Sequence, residues 1–88
     1  MSTYRYHLHE HEKKRVDNYF EPGMPKAFLG RHDDFGSWTI LVDGPDRVLM
    51  RHYNGAMMWV EVEGDRAMSY EIIEGDEARA LDAEHGKG

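Results

Sequence analysis

Short turn signals divide the second half of the chain into four strand-like runs, and this spacing constrains the fold more than any other feature. The runs favour strands because they are rich in Val, Ile, Trp and Tyr. They span Ser37–Val42, Arg47–Tyr53, Ala56–Val62 and Arg66–Ile73, and the turns between them are Gly44-Pro45-Asp46, Asn54-Gly55 and Gly64-Asp65. Asn-Gly is the strongest of these signals because both residues tolerate a positive φ. The pattern predicts a four-stranded antiparallel meander.

Turn lengths set the strand register, and the register decides which side chains share a face of the sheet. Two-residue turns at Asn54-Gly55 and Gly64-Asp65 would place Trp59 opposite Met50 on one side and Tyr70 on the other. With a three-residue first loop, the predicted core face comprises Trp38, Ile40, Val42, Val48, Met50, Met57, Trp59, Met68, Tyr70 and Ile72. A four-residue first loop would instead move the members of the first strand to the opposite face.

The opposite face is polar except for a group of apolar side chains. This group comprises Leu41, Leu49, Met58 and Val60. An apolar centre within a polar face is typical of an interaction surface. We expect this face to be covered by the N-terminal segment, by a protein partner, or by a second copy in a homodimer.

The N-terminal third is harder to interpret. Alternating apolar and polar residues predict a strand near Tyr4–His9. Residues Glu12–Phe20 have near-helical apolar spacing, which fits either one or two helical turns or an extension of that strand. Two prolines and a glycine within Glu21–Pro25 then interrupt any regular element.

The C-terminal residues predict a short helix or a frayed tail. Asp76 can cap a helix over Glu77–His85, but Leu81 is its one large apolar residue. We therefore predict a mainly β, β-rich α+β fold, in which residues 1–75 form a single domain and residues 76–88 form an acidic tail. The length of 88 residues suits one small domain.

The composition limits the classes of function. The chain has no cysteine, so disulfides and thiolate chemistry are excluded. We find no signal-peptide pattern and no apolar run of the ~20 residues that a membrane span needs. A cytoplasmic protein without membrane contact is expected. No Gly-x-Ser-x-Gly elbow or phosphate-binding glycine loop is present, so we expect neither catalysis nor a bound cofactor.

Acidic residues are concentrated in the last third of the chain. The net charge is −6, and residues 59–88 supply all of it because residues 1–58 contain equal numbers of acidic and basic residues. The acidic strip consists of Glu61, Glu63, Asp65, Glu71, Glu74, Asp76 and Glu77. An acidic surface disfavours direct binding to nucleic acid; it is compatible with docking on a basic site of a protein and also with a solvated surface that aids solubility.

Three histidines alternate near the N-terminus and suggest a second hypothesis. His7, His9 and His11 would share one face of a strand, with Cβ atoms about 6.5–7 Å apart. Two of them could bind a metal ion together with a further ligand such as His32. No second ligand pattern follows, so we expect no metal site and treat a small metal-binding protein or metalloenzyme that uses these histidines as the alternative. The sequence favours a small acidic, non-enzymatic binding protein of the inhibitor, immunity or anti-defence type.

Overall fold

The computed structural model describes residues 5–29 and 38–85 of the chain. The elements follow the order helix, short strand, single 3-10 turn, four longer strands and helix. Their bounds are α1 Glu10–Tyr19, β1 Met24–Pro25, a 3-10 turn at Lys26–Phe28, β2 Trp38–Asp43, β3 Arg47–His52, β4 Met57–Glu63, β5 Arg66–Ile73 and α2 Asp76–His85.

All five strands form one antiparallel sheet in the order β1-β5-β4-β3-β2. Strands β2 to β5 are the predicted meander, and their bounds lie within one residue of the predicted runs. The β-rich α+β fold class is confirmed. Neither helix in the described part of the chain is long and apolar enough to cross a bilayer.

The fifth strand is not the one that we expected near Tyr4–His9. Residues 5–9 form no strand, because Tyr6 has a φ of 66° and bends the chain. The N–H of Tyr6 donates to the C=O of Asn54, and its own C=O accepts from the N–H of Gly75. These two bonds hold the segment between the β3–β4 turn and the end of β5. The additional strand is instead β1, which pairs with the start of β5.

The β3–β4 register differs by one residue from the prediction. The N–H of His52 donates to the C=O of Ala56 at 2.7 Å, so the connection has three residues and includes Tyr53. Met50 consequently pairs with Met58 and not with Trp59. A shift of one residue exchanges the two faces of a strand. Met57 and Trp59 therefore lie on the face opposite to the one predicted for them.

Two β-bulges alter the register further. The Gly64-Asp65 turn has two residues as predicted, but Met68 is an extra residue opposite Glu61, and Trp59 therefore pairs with Glu71. In the first hairpin, Ile40 pairs with Met50 as predicted. A second bulge at Leu41 then places Val42 on the other face, opposite Leu49.

Both faces of the sheet are consequently apolar over part of their area. On the first face, which we call the α1 face, the N-terminal segment and α1 pack on the central strands. Its buried residues are Leu8, Val16, Phe20, Met24, Leu29, Trp38, Val48, Met50, Ala56, Met58, Val60, Val62 and Ala67. On the second, the α2 face, Ala78 of α2 packs with Leu49, Met57 and Ile73. Trp59 lies at the margin of this smaller cluster and is only partly buried.

Helix α2 is more firmly attached than its single leucine suggested. Ala78 is fully buried against the sheet, and Leu81 packs at the edge of the same cluster. The carboxylate of Asp82 accepts a hydrogen bond from Arg51 at 2.7 Å and another from the Tyr6 hydroxyl at 3.2 Å. Polar anchoring thus supplements the small apolar contact area of this helix.

Candidate functional site

Helix α2 covers only one end of the α2 face. Its contacts with Met57, Ile73 and Arg51 place it over the end of the sheet that carries the Asn54-Gly55 turn. The end that carries the other two turns lies beyond these contacts. We call this area the open face, and it contains Arg47, Trp59, Glu61, Ser69 and Glu71.

The centre of the open face is a stacked pair. The guanidinium carbon of Arg47 lies 3.9 Å from the centre of the Trp59 ring, which is close enough for a cation–π interaction. Glu71 is the direct partner of Trp59 on β5, and Glu61 follows Trp59 by two residues on the same side of β4. Two exposed carboxylates therefore flank an indole ring.

Several other carboxylates in the described ranges are engaged within the molecule. Asp43 lies 2.7 Å from the Lys26 amine, and Glu12 lies 3.3 Å from His52. Asp17 accepts from the Tyr70 hydroxyl at 3.1 Å. These pairs connect elements that are distant in sequence, so their role is to hold the fold together.

The members of the acidic strip differ from these engaged carboxylates. Six of them are exposed and form no ion pair with any described residue: Glu61, Glu63, Asp65, Glu71, Asp76 and Glu77. The seventh is Glu74, which lies 3.5 Å from the Lys13 amine and accepts from the N–H of Leu8 at 2.7 Å. Glu74 therefore fastens the N-terminal segment to β5, and its charge is already compensated.

The predicted apolar interface residues do not form a surface. Met58 and Val60 are fully buried beneath the N-terminal segment on the α1 face, and Leu49 is fully buried beneath α2. Leu41 is partly buried at the margin of the α2 cluster. The chain itself thus covers the surplus apolar residues that suggested a partner.

The histidines near the N-terminus do not line one strand face. His9 precedes the first residue of α1 and His11 lies within it, so their rings stack at 5.5 Å. His7 lies apart, 4.0 Å from Glu74. Within residues 5–29 and 38–85, no three His, Asp or Glu side chains are grouped as metal ligands. His32, the fourth residue of that hypothesis, lies outside the described residues.

Sequence reasoning did not foresee the pairing of His52 with Glu12. His52 is 3% exposed, and its ring packs edge-on against Trp38. Burial lowers the pKa of His52, while a hydrogen bond with the side chain of Asn54 and the charge of Glu12 oppose that shift. The N–H of Asn54 donates to Nδ1 of His52, which leaves Nε2–H to face Glu12 at 3.3 Å. No sequence motif connects these two residues, since the hairpin and α1 bring them together.

The sequence matches no protein-family model, and we find no significantly similar curated protein or solved structure.

Proposed function

We propose that this chain is a small, acidic, non-enzymatic binding protein whose exposed carboxylates engage a basic site on a protein partner. The observation that supports this proposal is the division of the carboxylates. Those that link the helices to the sheet are paired, whereas those on the β4–β5 hairpin and at the start of α2 form no ion pair with any described residue. An inhibitor, immunity protein or anti-defence factor acting in the cytoplasm would fit this description.

The exposed carboxylates and Trp59 would affect both the rate and the strength of association. Unpaired carboxylates attract a basic surface over about 8 Å at physiological ionic strength and therefore accelerate encounter. Once contact forms, the Trp59 ring between Glu61 and Glu71 offers apolar area at the centre of the charged patch. Aromatic residues in such central positions supply much of the binding energy at many interfaces.

The same charge distribution disfavours nucleic acid as the direct partner. Phosphate backbones are bound by clusters of Lys and Arg, whose neutralisation of phosphates releases counterions. On the open face, Arg47 stacks on Trp59 between carboxylates, and the whole chain has a net charge of −6. An acidic protein can instead compete for a basic site that another protein uses to hold phosphates.

A charge-reversal experiment with a matched control tests the proposal. The variant Glu61→Lys/Glu71→Lys reverses two charges on the open face, and Glu10→Lys/Glu84→Lys reverses two exposed charges elsewhere. Both raise the net charge by the same four units. The wild type and the two double variants are immobilised separately, and each is used to capture partners from the source cells. A captured partner is then purified, and its association rate is measured at low and high salt.

We expect a basic partner that the wild type and the control variant bind with a salt-dependent association rate. The open-face variant should associate about tenfold more slowly, because steering charges act mainly on the association rate. Equal binding by both double variants would refute the proposal. Tight binding of the wild type to duplex DNA at physiological salt would also refute it.

A further inference from the structure

The outer edge of β5 is mostly uncovered in the described structure. β5 has eight residues, Arg66–Ile73, but β1 has only two and pairs with Ala67 and Arg66. The chain leaves the sheet at Gly23, whose N–H donates to the C=O of Ala67. From Met68 to Ile73, no described strand lies beside β5.

The direction of the backbone groups along this edge follows from the neighbouring hairpin. His52 donates to the C=O of Ala56, so alternate residues of β4 starting from Met58 direct their N–H and C=O groups to β3. The residues between them direct their N–H and C=O groups to β5, as Trp59 does toward its partner Glu71. Residues of β5 next to Glu71 must therefore direct their backbone groups outward.

Those residues are Tyr70 and Ile72. Within residues 5–29 and 38–85, no partner accepts from their backbone N–H groups or donates to their C=O groups on the outer edge. The bond from Gly23 to Ala67 agrees with this alternation, since the bulge at Met68 adds one residue between Ala67 and Tyr70. Two donors and two acceptors thus remain in strand geometry along one edge.

The surroundings of this edge differ on the two faces of the sheet. A cleft beside the edge is lined by Asp17, Phe20, Pro22, Met68, Ser69 and Tyr70, and Met68 is 39% exposed. On the α2 face, the nearest charged side chain of β5 is the unpaired Glu71. A strand laid along the edge would meet, on one side, a largely apolar cleft whose one carboxylate, Asp17, already accepts from the Tyr70 hydroxyl, and on the other side the charge of Glu71.

We propose that an extended, basic segment of the partner adds to β5 as a further antiparallel strand, bonding the backbone of Tyr70 and Ile72. This inference rests on the proposed function and specifies how the partner is held. The added strand would lie along the same edge of β5 as β1, beyond the two residues that β1 pairs with. Its residues opposite Tyr70 and Ile72 direct apolar side chains to the cleft, and those opposite Glu71 direct Arg or Lys to the open face.

A second copy of the chain suits this edge less well than a basic segment. Each copy has a net charge of −6, and pairing two β5 edges would bring their Glu71 side chains close to one another. The other edge strand, β2, is a weaker candidate because its bulge at Leu41 interrupts the alternation in mid-strand. In β5 the bulge lies near the start, and the residues from Ser69 onward alternate regularly.

Synthetic peptides of alternating arginine and valine test this proposal. Valines opposite Tyr70 and Ile72 would bond the edge with their backbone N–H groups, whereas arginine N–H groups would point away. One peptide is N-methylated at the valines and a second at the arginines, so the two have equal charge and composition. Affinity is measured for the wild type and for Glu61→Lys/Glu71→Lys, and amide exchange is measured at Tyr70 and Ile72.

We expect N-methylation of the valines to weaken binding about tenfold, because it removes the bonds to β5, and N-methylation of the arginines to leave affinity within about twofold. Unmodified peptide should protect the amides of Tyr70 and Ile72 from exchange. Equal binding of both methylated peptides would overturn edge pairing but leave charge-based recognition standing. The inference also fails if the unmodified peptide does not bind, or if the free protein dimerises with these amides already protected.

Discussion

The ring of Tyr6 occupies the space that a side chain at Gly55 would need. A Cβ built on Gly55 would stand 2.6 Å from Cδ1 of Tyr6, which is far inside contact distance. Gly55 also has a φ of 107°, a conformation that residues with a side chain rarely adopt. The N-terminal segment can therefore pack against the turn between β3 and β4 only because residue 55 has no side chain.

Replacement of Gly55 should destabilise the protein by more than backbone strain alone. We expect Gly55→Ala to lower the free energy of unfolding by about 2–4 kcal/mol, because it combines a positive φ with displacement of Tyr6. The control is Gly64→Ala, where φ is also positive but no atom lies within 4 Å of the added Cβ. Urea denaturation measures the free energy of unfolding of both variants. Equal losses would show that Tyr6 does not pack against the turn.

Two methionines provide a test of the sheet faces. Met58 is fully buried on the α1 face, whereas Met68 at the bulge is 39% exposed. We expect Met58→Ala to cost about 2–5 kcal/mol and Met68→Ala less than about 1 kcal/mol. Thermal and chemical denaturation give both values. A larger loss for Met68→Ala would mean that the register of β5 against β4 is incorrect.

Stability should decrease in mild acid because of His52. Burial holds the pKa of His52 below its usual value of about 6.5, so the unfolded state binds a proton more readily than the folded state. The free energy of unfolding should therefore fall as the pH drops below about 6.5 and continue to fall until the lowered pKa is passed. Above that window His52 is neutral in both states and adds no pH dependence.

The variant His52→Gln isolates this contribution. Glutamine can still donate a hydrogen bond to Glu12 but cannot titrate, so the slope of stability against pH between about 5.5 and 6.5 should decrease. The control His11→Gln makes the same substitution at an exposed histidine of α1. If His52→Gln retains the wild-type slope, another group governs the acid sensitivity.

The attachment of α2 should depend on Asp82. Because Asp82 accepts from both Arg51 and Tyr6, Asp82→Ala leaves two donors without their partner. We expect a loss of about 1–3 kcal/mol and faster amide exchange throughout α2. Glu84→Ala, two residues further along and exposed, should change neither quantity. Unaltered exchange in Asp82→Ala would show that Ala78 and Leu81 alone hold the helix.

The strands could be predicted from the sequence because turn residues and β-branched residues act locally. The faces could not, since each register depended on a single extra residue: Tyr53 in one turn, and the bulges at Leu41 and Met68. A bulge leaves no clear compositional signal, because its cause is packing on both sides of the strand. The sequence of Glu12–Phe20 fits either a helix or an extension of a strand, and the burial of Val16 against the sheet decides in favour of the helix.

The acidic strip illustrates the same limit at the level of the site. The sequence identifies which residues are acidic, but not which of them are neutralised by neighbours. Glu74 looks like Glu71 in the sequence, yet Lys13 and the N–H of Leu8 approach it from a segment more than sixty residues away. Only tertiary contacts separate a carboxylate that stabilises the fold from one that remains free to bind.

The hydrogen bonds of the N-terminal segment also determine when that segment can fold. Tyr6 bonds to Gly75, and Leu8 bonds to Glu74, so both partners lie beyond the end of β5. During synthesis, the first of these residues leaves the ribosome long before its partners exist. The bonds to Glu74 and Gly75 that fasten this segment can therefore form only after β5 and the two residues that follow it have been translated.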